Sequence, residues 1–284
     1  MILITGAAGK TGRAILKSLL DKKADVRVLV RRREQAEELS KAGAADAVIG
    51  DMTDPAVYSR SLADVDAVYH ICPNMHPEET EIGRKAIIAA LENKIEHFVY
   101  HSVLHPHTGK MPHHWQKLKV EEMLFESGLN FTILQPAPYM QNILAFNNDI
   151  MDKGEYPLPY PAQTRLSMLD LADLGEVAAK VFTEPGHVGS IYEIVGTKGI
   201  SQLEVAAQIS EGIGKIISVR EVSLGDWRNE VEKAGMESYA VETLQKMFIY
   251  YGQFGLWGNP GVLTHLLERQ PGTIADFARR ELAM

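Results

Sequence analysis

Cysteine is nearly missing from this 284-residue chain: Cys72 is the only one, which excludes an intrachain disulfide framework and fits a reducing compartment. Long apolar runs are missing too, since no stretch approaches the ~20 apolar residues that a membrane helix needs. There is no excess of positive charge. Lys+Arg number 29 against 37 Asp+Glu, a net charge of −8, which argues against general affinity for nucleic acid or anionic membrane. Repeats of solenoid period and low-complexity tracts are also lacking. Met1-Ile2-Leu3-Ile4-Thr5-Gly6 reads straight into a strand, leaving no room for a signal peptide. What is present is 45% hydrophobic and 23% charged, enough to bury a core. A soluble, cytoplasmic globular protein is expected.

Up to Gln135-Pro136 the chain alternates β-rich runs with amphipathic ones. Strands are expected at Ile2–Thr5, Val26–Val30, Ala47–Gly50, Ala67–Ile71, His97–His101 and Phe131–Leu134. Helices are expected after Gly12, where Ile15, Leu16, Leu19 and Leu20 share a face, and over Glu79–Asn93 and Leu118–Gly128. This rhythm predicts an α/β fold, a doubly wound parallel sheet of the Rossmann kind. Beyond it, Tyr139–Lys153 and Asp170–Phe182 read as helices, and Ile191–Val195 and Ile216–Val222 as strands. Tyr156–Pro161 is neither helix nor central strand. Ser201 to Glu204 forms a capping box, and Thr273 caps a final helix. The expected division is a Rossmann domain over 1–155 and a smaller, interleaved α+β part over 156–284 that covers a substrate.

Thr5-Gly6-Ala7-Ala8-Gly9-Lys10-Thr11-Gly12 places G-x-x-G-x-x-G between the first strand and the first helix. Gly6 permits a tight turn, Gly9 lets backbone approach a pyrophosphate, and Gly12 lets the helix pack closely; Ala8, Lys10 and Thr11 complete the turn. A Walker A reading of Gly9-Lys10-Thr11 fails, because the required first glycine is Ile4. Arg31 follows the second strand where a carboxylate would select NAD, so NADPH is favoured over NADH. The alternative is that Arg31-Arg32-Arg33 is a solvated start to the next helix. Asp51, beside Met52, is a candidate acceptor for an adenine amine or a turn acid, and Asp54 before Pro55 is a helix cap. Cys72, Pro73 and Asn74 end the fourth strand, where backbone would pass a dinucleotide. Cys72 has no neighbouring base in sequence and reads as an apolar filler. His105, His107, His113 and His114 lack metal-ligand spacing and Pro106 interrupts them, so no metal is expected.

These motifs resemble the NmrA-like group of atypical short-chain dehydrogenases/reductases. The resemblance also rests on Gly50-Asp51-Met52-Thr53-Asp54-Pro55, Lys117-Leu118-Lys119-Val120-Glu121-Glu122, Gly128 to Pro136 and Tyr139-Met140-Gln141-Asn142. It implies a nicotinamide cofactor and, by position, Ser102 and Lys117 as catalytic-site residues, with Lys117 on a helix surface holding nicotinamide ribose hydroxyls. The tyrosine expected four residues before that lysine is replaced by His113, either a substitute proton donor or an exposed loop histidine. Gln135 stands where the group often has Arg, and Gln135, Pro136 and Ala137 are placed near the nicotinamide. Tyr139 and Asn142 are placed at the substrate. The aromatic stretch Phe248, Tyr250, Tyr251, Phe254 and Trp257 roofs an aromatic substrate, buries a subunit interface or closes the small domain. The function implied is an NADPH-dependent reductase of a quinone-like, aromatic or conjugated carbonyl acceptor. It would act as monomer or homodimer, without nucleic-acid or membrane partners. The group also contains dinucleotide-binding regulators, so a redox sensor with little turnover is the competing function.

Overall fold

Strand β1 (Ile2–Ile4) is short because the chain must turn at Gly6, and its Leu3 and Ile4 are fully buried. Helix α1 (Lys10–Asp21) follows, burying Gly12, Ile15, Leu16 and Leu19 along the face predicted by their spacing. The alternation then runs β2 (Val26–Val30), α2 (Arg33–Lys41), β3 (Asp46–Ile49), α3 (Pro55–Ser61), β4 (Ala67–His70), α4 (Glu79–Glu92), β5 (His97–His101), α5 (Pro112–Ser127) and β6 (Phe131–Pro136). Next come β7 (Glu155–Leu158), β8 (Arg165–Leu166), α6 (Leu171–Thr183), β9 (Ser190–Ile194), β10 (Ile200–Ser201), α7 (Gln202–Ile213) and β11 (Ser218–Glu221). The chain closes with α8 (Leu224–Lys233), α9 (Ser238–Phe254), α10 (Gly261–Leu267) and α11 (Ile274–Glu281). This is a computed structural model, and it describes residues 1–282.

The main sheet has seven strands in the order β3-β2-β1-β4-β5-β6-β9. From β3 to β6 every neighbouring pair is parallel. Each strand expected up to Leu134 forms, and the fold is the doubly wound α/β architecture. Chain order reverses between β1 and β4, which makes the carboxyl ends of those two strands the topological switch point. The Thr5 hydroxyl ties that point together, donating to Ile71 O at 2.9 Å and accepting from Ile71 N at 2.8 Å.

Two compact units divide the chain. The first comprises Met1–His107, His114–Gln135 and Leu174–Tyr192; the second comprises Thr108–His113, Pro136–Asp173 and the chain from Glu193. The core of the first gathers Leu3, Leu29, Tyr58, Val68, Phe98, Tyr100, Val120 and Ile133. That of the second gathers Met140, Ile143, Ile150, Tyr156, Leu158, Val205, Ile209 and Phe277. Two short sheets, β11 with β7 and β10 with β8, belong to the second unit.

Three local expectations change. Tyr139–Lys153 is not an α-helix but a 3-10 segment, Met140–Phe146, followed by a π segment, Asp149–Lys153. Met140 and Ile143 are both buried three residues apart, and a three-residue turn stacks such positions. Helix α5 begins at Pro112, earlier than Leu118, because proline fits the first helical turn. His113 and His114 are therefore buried first-turn residues rather than exposed loop histidines.

Candidate active site

The glycine turn is shaped by backbone crowding. Gly6 adopts φ +60°, and Gly9 N donates to Gly6 O at 3.0 Å. A Cβ on Gly12 would lie 2.5 Å from Gly6 O and 2.6 Å from Ala7 Cα, so only glycine lets α1 seat this close. Gly9 is the N-cap of α1, no side chain caps the helix, and its first turn holds no acid. With no carboxylate there to neutralise it, the positive end of the helix dipole at the turn suits an anion. Lys10 and Thr11 open the helix. Arg13 steadies the turn, donating from Nε to Ala8 O at 2.9 Å while its guanidinium forks onto Glu38 at 2.6 and 2.9 Å.

The first unit also holds most of the expected cofactor residues. Arg31 is exposed just beyond β2, and its charge is felt at Asp51. Asp51 Oδ1 accepts from Thr53 N at 2.9 Å and Thr53 Oγ1 at 2.8 Å, and these bonds hold its carboxyl below the usual carboxylate range. Met52 turns its side chain onto the core. Asp54 caps α3 by accepting from Ala56 N. Cys72 is buried, Pro73 half-buried and Asn74 exposed. Burial, with Glu79 nearby, pushes the Cys72 thiol well above its usual range, which leaves it inert.

At the carboxyl ends of β4, β5 and β6 lies a buried polar cluster. Lys117 is not the helix-surface lysine expected: only 4% of it is exposed. Its Nζ meets Glu79 Oε1 at 2.6 Å, donates to His101 O at 2.9 Å and sits 5.4 Å from the centroid of the Tyr100 ring. Glu79 opens α4, where the helix dipole favours its charge. One turn after Lys117, Glu121 accepts from Ser102 Oγ and from Gln135 Nε2. Ser102 and Gln135 are both buried. Neither Glu79 nor Glu121 was assigned a role from sequence. The i, i+4 spacing of Lys117 and Glu121 was the available signal for one; nothing local marks Glu79.

The model of the NmrA-like family matches residues 1–277. The chain belongs to the NmrA-like family. Among curated relatives, an NAD(P)H azoreductase of Xenophilus azovorans is 27% identical over 285 residues, covering 100% of this chain and 98% of its own. Among solved structures, the NADPH-dependent quinone oxidoreductase of Escherichia coli in complex with NADPH superposes with a TM-score of 0.85 at 24% identity, over 98% of each chain. The triphenylmethane reductase of Citrobacter sp., complexed with NADP(H), gives 0.85 at 20% identity over 99% of each chain. The family match thus spans nearly the whole described chain.

The remaining expected residues of this NmrA-like chain lie in the second unit: His113, Pro136, Ala137, Tyr139 and Asn142. Pro136 and Ala137 are buried, and Ala137 N donates to Ile194 O at 3.0 Å. Tyr139 is half-buried, Asn142 is exposed, and Asn142 N donates to Tyr139 O. The aromatic stretch divides in two. Phe248 and Tyr251 pack inward, Phe248 edge-on to Trp227 at 4.9 Å and Tyr251 against Tyr160. Phe254 and Trp257 are more than half exposed, flanking a depression of about 260 Å³ with Pro161 and Tyr251. Among the described residues, no three His, Cys, Asp or Glu side chains converge as a metal site, and no helix is long and apolar enough to cross a membrane.

Proposed function

We propose that this protein is an NADPH-dependent reductase that passes a hydride to a quinone-like, aromatic or conjugated carbonyl acceptor. The observation that carries it is the glycine turn before α1, where Gly12 excludes any Cβ and the first helical turn holds no acid, with Arg31 exposed beyond β2. A pyrophosphate suits that turn, since it needs N–H donors, an absence of acid and close backbone approach. The azoreductase, quinone oxidoreductase and triphenylmethane reductase relatives support an aromatic acceptor.

Gly6, Ala8, Gly9, Lys10, Thr11 and Gly12 hold the pyrophosphate, and the Arg31 guanidinium pairs with the ribose 2′-phosphate. Asp51, kept ionised, accepts from the adenine amine, with the Met52 backbone beside it. Cys72, Pro73 and Asn74 line the ribose side. Lys117 has three N–H donors, of which Glu79 and His101 take two; the third serves the nicotinamide ribose. Gln135, Pro136 and Ala137 border the nicotinamide, and Tyr139 and Asn142 the acceptor. When bound, the dinucleotide supplies a hydride from nicotinamide C4. Ser102 and His113 are the two side chains we assign to the proton that must follow.

Fluorescence titration with NADPH, then its oxidation against a panel of quinones, dyes and enones, tests this reading. Binding together with oxidation of at least one acceptor class is expected. Arg31→Ala should weaken NADPH by roughly tenfold or more and leave NADH unchanged, because a charged hydrogen bond is worth about 1.5–3 kcal/mol. Equal loss for both coenzymes would remove the 2′-phosphate assignment. The second reading is a dinucleotide-binding regulator, favoured by His113 in the tyrosine position. It gives tight binding with no oxidation across the panel.

A further inference from the structure

Glu121 is a carboxyl only 2% exposed whose hydrogen-bond partners are all neutral. Ser102 Oγ donates to Oε1, and the Gln135 amide nitrogen straddles both oxygens at 2.9 and 3.0 Å. Ser102 directly follows β5 and Gln135 lies near the end of β6, which fixes the carboxyl at the ligand-binding edge of the sheet. Lys117, the cation one turn earlier on α5, is already committed to Glu79 of α4 at 2.6 Å. The other ionisable neighbours are His107, from the loop after β5, and Tyr100 of β5. Desolvation outweighs the bonds from Ser102 and Gln135 and the attraction of Lys117 and His107, so the carboxyl is raised above its ordinary range.

The charge on Glu121 decides what Ser102 can offer. An ionised carboxylate only accepts, so it holds the single hydroxyl proton of Ser102, which then presents lone pairs to a ligand. A protonated Glu121 can donate to Ser102 Oγ, which releases the Ser102 O–H to a different acceptor. We propose that Glu121 is the proton store of this site, recharging Ser102 as Ser102 protonates the oxyanion of the reduced acceptor. The inference rests on the reductase reading. Hydride addition from NADPH, which is oxidised, leaves an oxyanion on the acceptor. The Ser102 O–H bond breaks as an O–H bond forms on that oxygen. The Glu121 O–H bond breaks as the Ser102 O–H is restored, leaving a carboxylate that water reprotonates. Glu121 touches neither substrate nor cofactor; it is a positioning residue acting through Ser102. It fills the role left open by the tyrosine that His113 replaces.

The test combines infrared spectroscopy of the protein without cofactor and kcat against pH for wild type, Glu121→Gln, Ser102→Ala and His113→Phe. A protonated-carboxyl band that disappears on alkaline titration is expected in wild type, absent from Glu121→Gln and retained in the surface control Glu122→Gln. In wild type, kcat should fall over the same pH interval as that band. Glu121→Gln should lower kcat about a hundredfold or more and abolish that alkaline limb, with the NADPH dissociation constant unchanged. Ser102→Ala should give a similar loss, and the double variant no further loss. Lack of a Glu121 band at working pH overturns the proposal, as does an alkaline limb that survives in Glu121→Gln but vanishes in His113→Phe. Should wild type bind NADPH but oxidise none of it, the reductase reading fails, while the infrared arm still reports separately on Glu121.

Discussion

Gly12 is the residue on which the glycine turn depends most directly. The atoms a Cβ would strike, Gly6 O at 2.5 Å and Ala7 Cα at 2.6 Å, are backbone and cannot rotate aside. Gly12→Ala should therefore destabilise the fold by about 1–3 kcal/mol, after which alanine's better helix propensity returns less than about 1 kcal/mol. It should also weaken NADPH, because the N–H groups of the turn shift with α1; urea unfolding and coenzyme titration check both. The glycine spacing is visible in the sequence because its cause is local. The Glu79–Lys117 pair is not, since Glu79 reads as an ordinary first-turn acid and ends 1% exposed. Removing one member strands a buried charge, so Glu79→Gln should cost about 3–5 kcal/mol in urea unfolding. Glu79→Leu combined with Lys117→Met should recover most of that loss. A double variant as unstable as the two single losses added together would refute the coupling.

Elements whose ends are set by short-range hydrogen bonds were readable from sequence. Ser201 Oγ accepts from Glu204 N while Glu204 Oε2 accepts from Ser201 N at 2.7 Å, and Thr273 caps α11 by accepting from Asp276 N. Ser201→Ala should cost about 1 kcal/mol, seen as a lower urea midpoint with an unchanged slope. A shift no larger than that of an alanine at exposed Glu211 would deny the cap its stabilising role. Elements decided by tertiary contacts were not readable. The segment after Pro138 is pinned by Met140 N donating to Leu169 O at 2.9 Å and by a left-handed stop at Gly154, so its apolar pattern winds as 3-10 and π turns instead of one α-helix. The start of α5 was obscured because Pro112, His113 and His114 resemble a loop in composition while proline at the first turn is a helix-start signal.

At the scale of the whole molecule, the strand–helix alternation was legible because the central parallel strands β4, β5 and β6 are almost wholly buried and read as apolar runs, while helices such as α1 carry one apolar stripe. The buried histidines were not, since nothing in β4 separates His70 from a surface histidine. His70 is fully buried, Nδ1 lying 2.9 Å from the Tyr58 hydroxyl, and desolvation, with Lys117 nearby, brings it down to about 3. His97 is brought down to about 4, again chiefly by burial. A lowered histidine is neutral in the fold and protonated in the unfolded chain, so unfolding takes up a proton and stability rises with pH. For His70 the contribution is complete above its usual value of 6.5 and is lost as pH falls toward about 3. Glu121 and Asp173, both raised by burial, act with the opposite sign, losing stability as pH rises above the ordinary carboxylate range. The wild-type slope is thus a sum, and a difference measurement isolates one group. Urea unfolding of His70→Gln beside wild type, from about pH 4 to 6, should give a slope shallower by about 1.4 kcal/mol per pH unit, the value for one proton. The glutamine amide can keep a hydrogen bond to Tyr58, so a constant loss of stability is expected beneath that change in slope. Parallel curves for the two proteins would mean that His70 is charged in the native state, which its burial opposes.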